Sequence, residues 1–160
     1  MHVSISHSAG GGVGIIFKNS SRMNTSLTDQ FHSFELMDFH LSIVRCVRIL
    51  LVYRPPGLST SLFLEEFSKL LEYITADQRQ KRLLIVGDFN IHVDNPNDTT
   101  AMQFLDLLDC FNLVQHVSEK THAYGHTLDL FVSMDHFVND VRMSDPVSSD
   151  HFGRSFNSTP

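Results

Sequence analysis

The sequence predicts an α/β fold, a sandwich of mixed sheets and helices, on three observations. The run Leu83-Leu84-Ile85-Val86 is too short and too branched for a good helix, and it ends abruptly in Gly87-Asp88-Phe89-Asn90, as a buried strand reaching a sheet edge would. On either side of it, around Ser61 to Gln78 and Thr100 to Phe111, the apolar spacing changes to that of a helix. The segments Phe31–Leu41 and Cys46–Tyr53 alternate or run apolar like strands and lie close enough to pair as neighbours, so antiparallel pairing is expected beside a strand–helix alternation.

Taken in order, Ala9 to Phe17 opens with a glycine run that superficially suggests a phosphate loop. Such a loop should follow a strand and open a helix, whereas this one leads into Val13, Ile15, Ile16 and Phe17, and is read as a loop entering a strand with Lys18 to Ser21 as its turn. After the pair of strands ending at Tyr53, Arg54-Pro55-Pro56-Gly57 stops the sheet, since proline cannot donate to a ladder. The first helix should start at Ser61 as N-cap and bury Leu62, Leu64, Phe67, Leu70, Leu71 and Ile74, with Glu65, Glu66, Lys69 and Glu72 elsewhere. The second should use Thr100 with Gln103 as a capping box and stop at Asn112. Strands are expected at 113–117, at 127–132 and, weakly, at 138–143, with Gly153 to Pro160 polar and frayed. No repeat or linker divides the chain, so one domain over residues 1–152 is expected.

Composition bounds the function. With 160 residues, 42% hydrophobic and 19% charged, the chain can bury a core, and no apolar run approaches the roughly 18 residues that span a membrane. The first residues lack the basic and apolar regions of a signal peptide, so an intracellular location, the nucleus included, is expected rather than secretion. Cys46 and Cys110 sit in apolar stretches without metal spacing and are expected to be buried thiols. A net charge of −6 argues against a broad basic face for nucleic acid, though not against an enzyme that meets phosphate through a divalent metal. Of the ten histidines, His2, His7, His32, His40 and His136 are read as surface or partly buried residues.

The chemistry gathers at strand ends. Asp88 and Asn90 are two apart, which in extended backbone puts them on one side about 6 to 7 Å from each other, suited to gripping one phosphate or a metal-bound water. Both residue types also favour turns, and that reading stands beside the first. Asp129, between Leu128 and Leu130 inside an apolar strand, needs a partner or a ligand. Tyr53, Asp88, Asn90, Asp129, Asp150 and His151 together supply the carboxylates, amide and imidazole that metal-assisted phosphodiester hydrolysis requires.

Four ordered segments, Leu-Val-Tyr-Arg-Pro-Pro-Gly (51–57), Val-Gly-Asp-Phe-Asn (86–90), Gly-His-Thr-Leu-Asp-Leu (125–130) and Ser-Asp-His (149–151), make the chain resemble the endonuclease/exonuclease/phosphatase family. More narrowly, it resembles the apurinic-type endonuclease domain of vertebrate non-LTR (LINE-like) retrotransposon polyproteins. The resemblance runs from Gly10 to Phe152 and implies an incomplete four-layer αββα sandwich. It implies that Asp88 orients or deprotonates the attacking water and that Asn90 holds the scissile phosphate. Tyr53 would offer a hydroxyl near that phosphate or the leaving oxygen, and Asp129 would fix the tautomer of His151. His151 would contact phosphate or act as a base, and Asp150 would lie near a weakly bound Mg²⁺ or Mn²⁺. His126 is left between a structural and a functional role. The implied partner is DNA, nicked by a monomer that touches no membrane.

The family pattern also has strands carrying an Asn and the principal metal-ligand Glu upstream of the segment matching Gly10. Here the nine preceding residues hold no Glu, and Glu35 lies in a segment matching a later strand. A truncated domain with an exposed apolar sheet face is therefore expected. Alongside the endonuclease stand a catalytically inactive retroelement remnant and a phosphatase or phosphodiesterase of the same fold.

Overall fold

The computed structural model describes residues 2–5, 14–17, 22–27, 31–42, 46–76, 82–121, 127–134, 138–144 and 153–158, with side chains described for 31–40, 47–76, 82–121, 127–134 and 138. The elements run β1 (His2–Ile5), β2 (Gly14–Phe17), β3 (Arg22–Leu27), β4 (Glu35–Ser42), β5 (Cys46–Tyr53) and α1 (Thr60–Thr75). They continue with β6 (Leu83–Asp88), α2 (Thr99–Cys110), β7 (Leu113–Gln115), β8 (Asp129–Met134), β9 (Val138–Ser144) and β10 (Gly153–Ser158).

Six strands form one sheet in the order β3-β4-β5-β6-β8-β7, while β1 with β2 and β9 with β10 form two antiparallel pairs. Within the large sheet only β5 and β6 run parallel, joined by α1 as the crossover that parallel pairing demands. The other pairings are antiparallel, including β4 with β5 as expected from their short connection.

The sheet's two faces bury different residues because side chains alternate along each strand. On one face Leu36, Leu50, Val52, Leu83, Ile85, Leu130 and Val132 meet the apolar stripes of α1 and α2. On the other, Met37, Phe39, Ile49, Leu51, Leu84 and Phe131 cluster with Val117 and with Val138 at the start of β9. Among the described residues no exposed apolar sheet face is found: their large exposed apolar side chains are Leu58, Leu62, Tyr73, Met102 and Leu105, around the helices. None of the described helices is long and apolar enough to cross a membrane.

Several local expectations are corrected. The cap of α1 is Ser59, whose hydroxyl accepts from the Leu62 amide, so the helix starts two residues before the expected position. Its stripe is Phe63, Phe67, Leu70, Leu71 and Ile74, with Leu62 turned outward and Glu66 buried. Asp98 caps α2 in place of the Thr100–Gln103 box, accepting from the amides of Thr100 and Ala101. Asn112 does end that helix, at a φ of 53°. Cys110 is exposed, because it falls on the solvent side of the last turn of α2. The tail expected to fray pairs as β10 along β9, and β1 and β3 arise in segments with no strand signal. Ladder hydrogen bonds to a neighbour can outweigh weak intrinsic strand preference.

Candidate active site

The site is laid down by register. Glu35 stands opposite Tyr53, Tyr53 beside Asp88, and Asp88 opposite Asp129, so one residue from each of four adjacent strands forms a row at one sheet end. Cross-strand partners share a face. By alternation the row continues the face of Met37, Leu51, Val86 and Phe131, away from the helices. Asp129 is the first residue of β8 and half-buried, so its carboxylate sits at the strand mouth and not within the apolar ladder.

Phe89 shows why the chain turns here. It is fully buried, with its ring 5.3 Å from Phe104, 5.8 Å from Phe67 and 6.3 Å from Phe63, so it anchors the turn in the aromatic core under both helices. Its neighbours Asp88 and Asn90 face the other way. Gly87 is required just before them: at a φ of +150° a Cβ would lie 1.8 Å from the Val52 carbonyl oxygen of β5.

Asn90 adopts the left-handed conformation, φ 48°, which corrects the extended spacing expected for the Asp88–Asn90 pair. Its amide N–H donates to Asp88 Oδ1 at 3.1 Å, and its Nδ2 donates to Asp88 Oδ2 at 3.1 Å and to the Arg54 carbonyl at 2.8 Å. The turn reading and the site reading are thus one arrangement. Both hydrogens of the Asn90 carboxamide are committed, so gripping a phosphate oxygen requires Asn90 to release one of these acceptors.

The opposite wall is held by Thr121, a fully buried residue whose hydroxyl accepts from the amides of Leu128 at 2.9 Å and Asp129 at 3.0 Å. The Phe89 amide donates to the Leu128 carbonyl at 3.0 Å, tying the two walls together. Burial, then the charges of Asp88 and Glu35, push the Tyr53 hydroxyl above the ordinary tyrosine range, so it remains a proton donor at neutral pH. Glu35, set aside on sequence order, belongs to this row, and its Oε2 is buried with no hydrogen-bond partner among the described residues. An acidic residue beginning an alternating strand carries no sequence signal of that kind.

Tyr53, Asp88, Asn90 and Asp129 are thus brought together, while His126, Asp150 and His151 lie outside the described residues. The gathered carboxylates and carboxamide are hard oxygen donors, suited to Mg²⁺ or Mn²⁺. Among the described residues no three His, Cys, Asp or Glu side chains converge as a metal centre.

A mixed sheet with flanking helices matches the endonuclease/exonuclease/phosphatase fold. A profile described as endonuclease-reverse transcriptase matches residues 47–154, more than half of the 160, and the chain belongs to that family. Among solved structures it is similar to the endonuclease domain of TRAS1, a telomere-specific non-LTR retrotransposon, at 19% identity and a TM-score of 0.70, over 98% of this chain and 77% of that one. It is also similar to the 3′ phosphatase NExo from Neisseria bound to a product DNA hairpin, at 18% identity, a TM-score of 0.66 and coverage of 99% and 79%. A third likeness is to TDP2 of D. rerio complexed with a single-strand DNA product, at 10% identity, a TM-score of 0.64 and coverage of 98% and 77%. These likenesses lie in the fold. A search of curated proteins finds no match.

Proposed function

We propose that this chain hydrolyses phosphodiester bonds of DNA in a divalent-metal-dependent reaction, as the nicking endonuclease of a retrotransposon polyprotein. The observation that carries the reading is the register that sets Tyr53, Asp88 and Asp129 side by side with Asn90 folded over Asp88. Bound at this end of the sheet, Mg²⁺ or Mn²⁺ would polarise the phosphoryl group and offset charge in the transition state. Asp150, with the oxygen donors nearby, would hold it.

The chain's own groups divide the remaining work. Asp88, held by the Asn90 amide and carboxamide, orients the attacking water and accepts its proton. Tyr53, kept protonated, donates toward the phosphate or the leaving oxygen. Asn90 contacts the scissile phosphate by exchanging a bond to Asp88 or Arg54 for one to the substrate. Asp129 fixes the tautomer of His151, which contacts phosphate or acts as a base. With a net charge of −6, DNA is met at the metal and these donors and not along a basic face.

Nicking of supercoiled plasmid by the purified chain tests this. Cleavage should require Mg²⁺ or Mn²⁺ and fall by at least about 100-fold on Asp88→Ala or His151→Ala. No metal-dependent nicking by the unaltered chain, together with no metal-induced rise in melting temperature, would leave the inactive remnant as the correct reading.

A further inference from the structure

We propose that Arg54 is a positioning residue of the site, setting the conformation of Asn90 and through it the orientation of Asp88; this rests on the phosphodiesterase reading above. Arg54 follows Tyr53 directly and is only 5% exposed. Its Nη1 donates to the Asn90 carbonyl at 3.0 Å and the Phe89 carbonyl at 3.3 Å. Its Nη2 donates to the Leu58 carbonyl and the Thr60 hydroxyl, both at 3.1 Å, and the guanidinium lies 5.2 Å from the centroid of the Phe63 ring. The backbone of the same residue completes the clamp: its N–H donates to the Asp88 carbonyl at 2.9 Å, and its carbonyl accepts from Asn90 Nδ2 at 2.8 Å.

Asp88, Phe89 and Asn90 are therefore each bonded to Arg54, while the far side of the fork is fixed to the start of α1. The guanidinium's planar fork allows this; a lysine ammonium is a point charge and cannot span both sides. A fold that needed only packing here would gain little from a buried cation, since apolar replacements of buried charges are often neutral or better. Among the described residues Arg54 forms no ion pair with a carboxylate; its Nη1 and Nη2 donate to carbonyls of the site turn and of the loop entering α1 and to the Thr60 hydroxyl, while its Nε is buried with no hydrogen-bond partner among the described residues. What those bonds secure is the left-handed Asn90 and the carboxamide that holds both the Arg54 carbonyl and Asp88.

Arg54→Met, which keeps apolar volume beneath Phe63, and Arg54→Lys, which keeps charge, test the idea by two readouts. The first is exchange of the Asn90 side-chain amide protons by NMR, which needs no activity. The second is the split between kcat and KM in metal-dependent plasmid nicking. In Arg54→Met the Asn90 carboxamide should exchange at least about tenfold faster, and kcat should fall roughly 100-fold with KM changed less than about threefold, as misplacement of a reacting group predicts. Arg54→Lys should recover part of both. If Arg54→Met does not fold, the lysine variant decides by the same measures. Unchanged Asn90 exchange in a folded variant overturns the proposal, as does faster exchange with unaltered kcat. Should the unaltered chain fail to nick at all, the function proposed above falls, and Asn90 exchange alone decides the role of Arg54.

Discussion

The carboxylate and carboxamide of Asp88 and Asn90 show how a turn becomes a site. An Asx-type turn ordinarily satisfies backbone donors, and here it does so while holding both oxygens of Asp88 from one side. Tyr53, Asp88, Asn90 and Asp129 are legible in the sequence because each interrupts or ends an apolar run, where a polar group must be explained. Glu35 and Arg54 are not: an acid at the start of a strand and an arginine before two prolines look like ordinary surface residues, and only register and burial bring them to the site. The row makes a prediction for Tyr53. Its raised pKa means protonated Tyr53 contributes stability that is present below the ordinary tyrosine range, about pH 10, and lost as pH rises through the higher folded value. Absorbance titration of the chain, with Tyr53→Phe subtracted to remove the other tyrosines, should show a late phenol. That phenol should titrate earlier in Asp88→Asn and in Glu35→Gln, yet stay above the ordinary value because burial remains. No change in either variant would mean the two carboxylates do not act on it.

At the scale of elements, the extent of β5 is legible to the residue and the helices to within their first turn. A strong apolar run bounded by prolines leaves β5 little choice, whereas a helix start depends on which of several polar residues finds an amide to accept from. In α1 the cap is Ser59 and not the expected Ser61, and the stripe keeps Phe67, Leu70, Leu71 and Ile74 as expected but buries Phe63 in place of Leu62. In α2, Asp98 outcompetes Thr100 because its carboxylate reaches two amides and stands at the positive end of the helix. Asp98→Ala should therefore cost about 1 kcal/mol in urea unfolding, while Thr100→Ala should cost less than about 0.5 kcal/mol. Equal losses would restore the capping box suggested by the sequence.

The whole molecule depends on how the helix layer meets the sheet, and this is what single-sequence periodicity cannot supply. Periodicity says which face of α1 is apolar; it does not say that Glu66, on that face, crosses to another element. The buried Glu66 carboxylate accepts from the Ser33 hydroxyl at 2.6 Å, the Ser33 amide at 2.9 Å and the His32 amide at 3.1 Å. It thereby fixes the turn that enters β4 two residues before Glu35, with Phe34 packed edge-on to Phe63 and Phe67. Burial alone would raise the Glu66 pKa, but the Ser33 hydroxyl and the Ser33 and His32 amides outweigh it and hold the carboxyl below its ordinary range. The sign of the linkage follows from that direction. Stability from ionised Glu66 is fully present above the unfolded pKa, about 4.3, and is lost as pH falls through the lower folded value. Glu66→Gln replaces one acceptor oxygen by a donor facing two amides and a hydroxyl, so at pH 7 it should lose about 1.5 to 3 kcal/mol. The gap between variant and parent in urea unfolding should shrink as pH drops below about 4, because the parent then protonates the group the variant lacks. A gap of equal size at pH 7 and pH 3 would show that Glu66 acts through shape and not through charge. A gap that closes would identify this carboxylate as an acid-labile tie between the helix layer and the strand that brings Glu35 to the site.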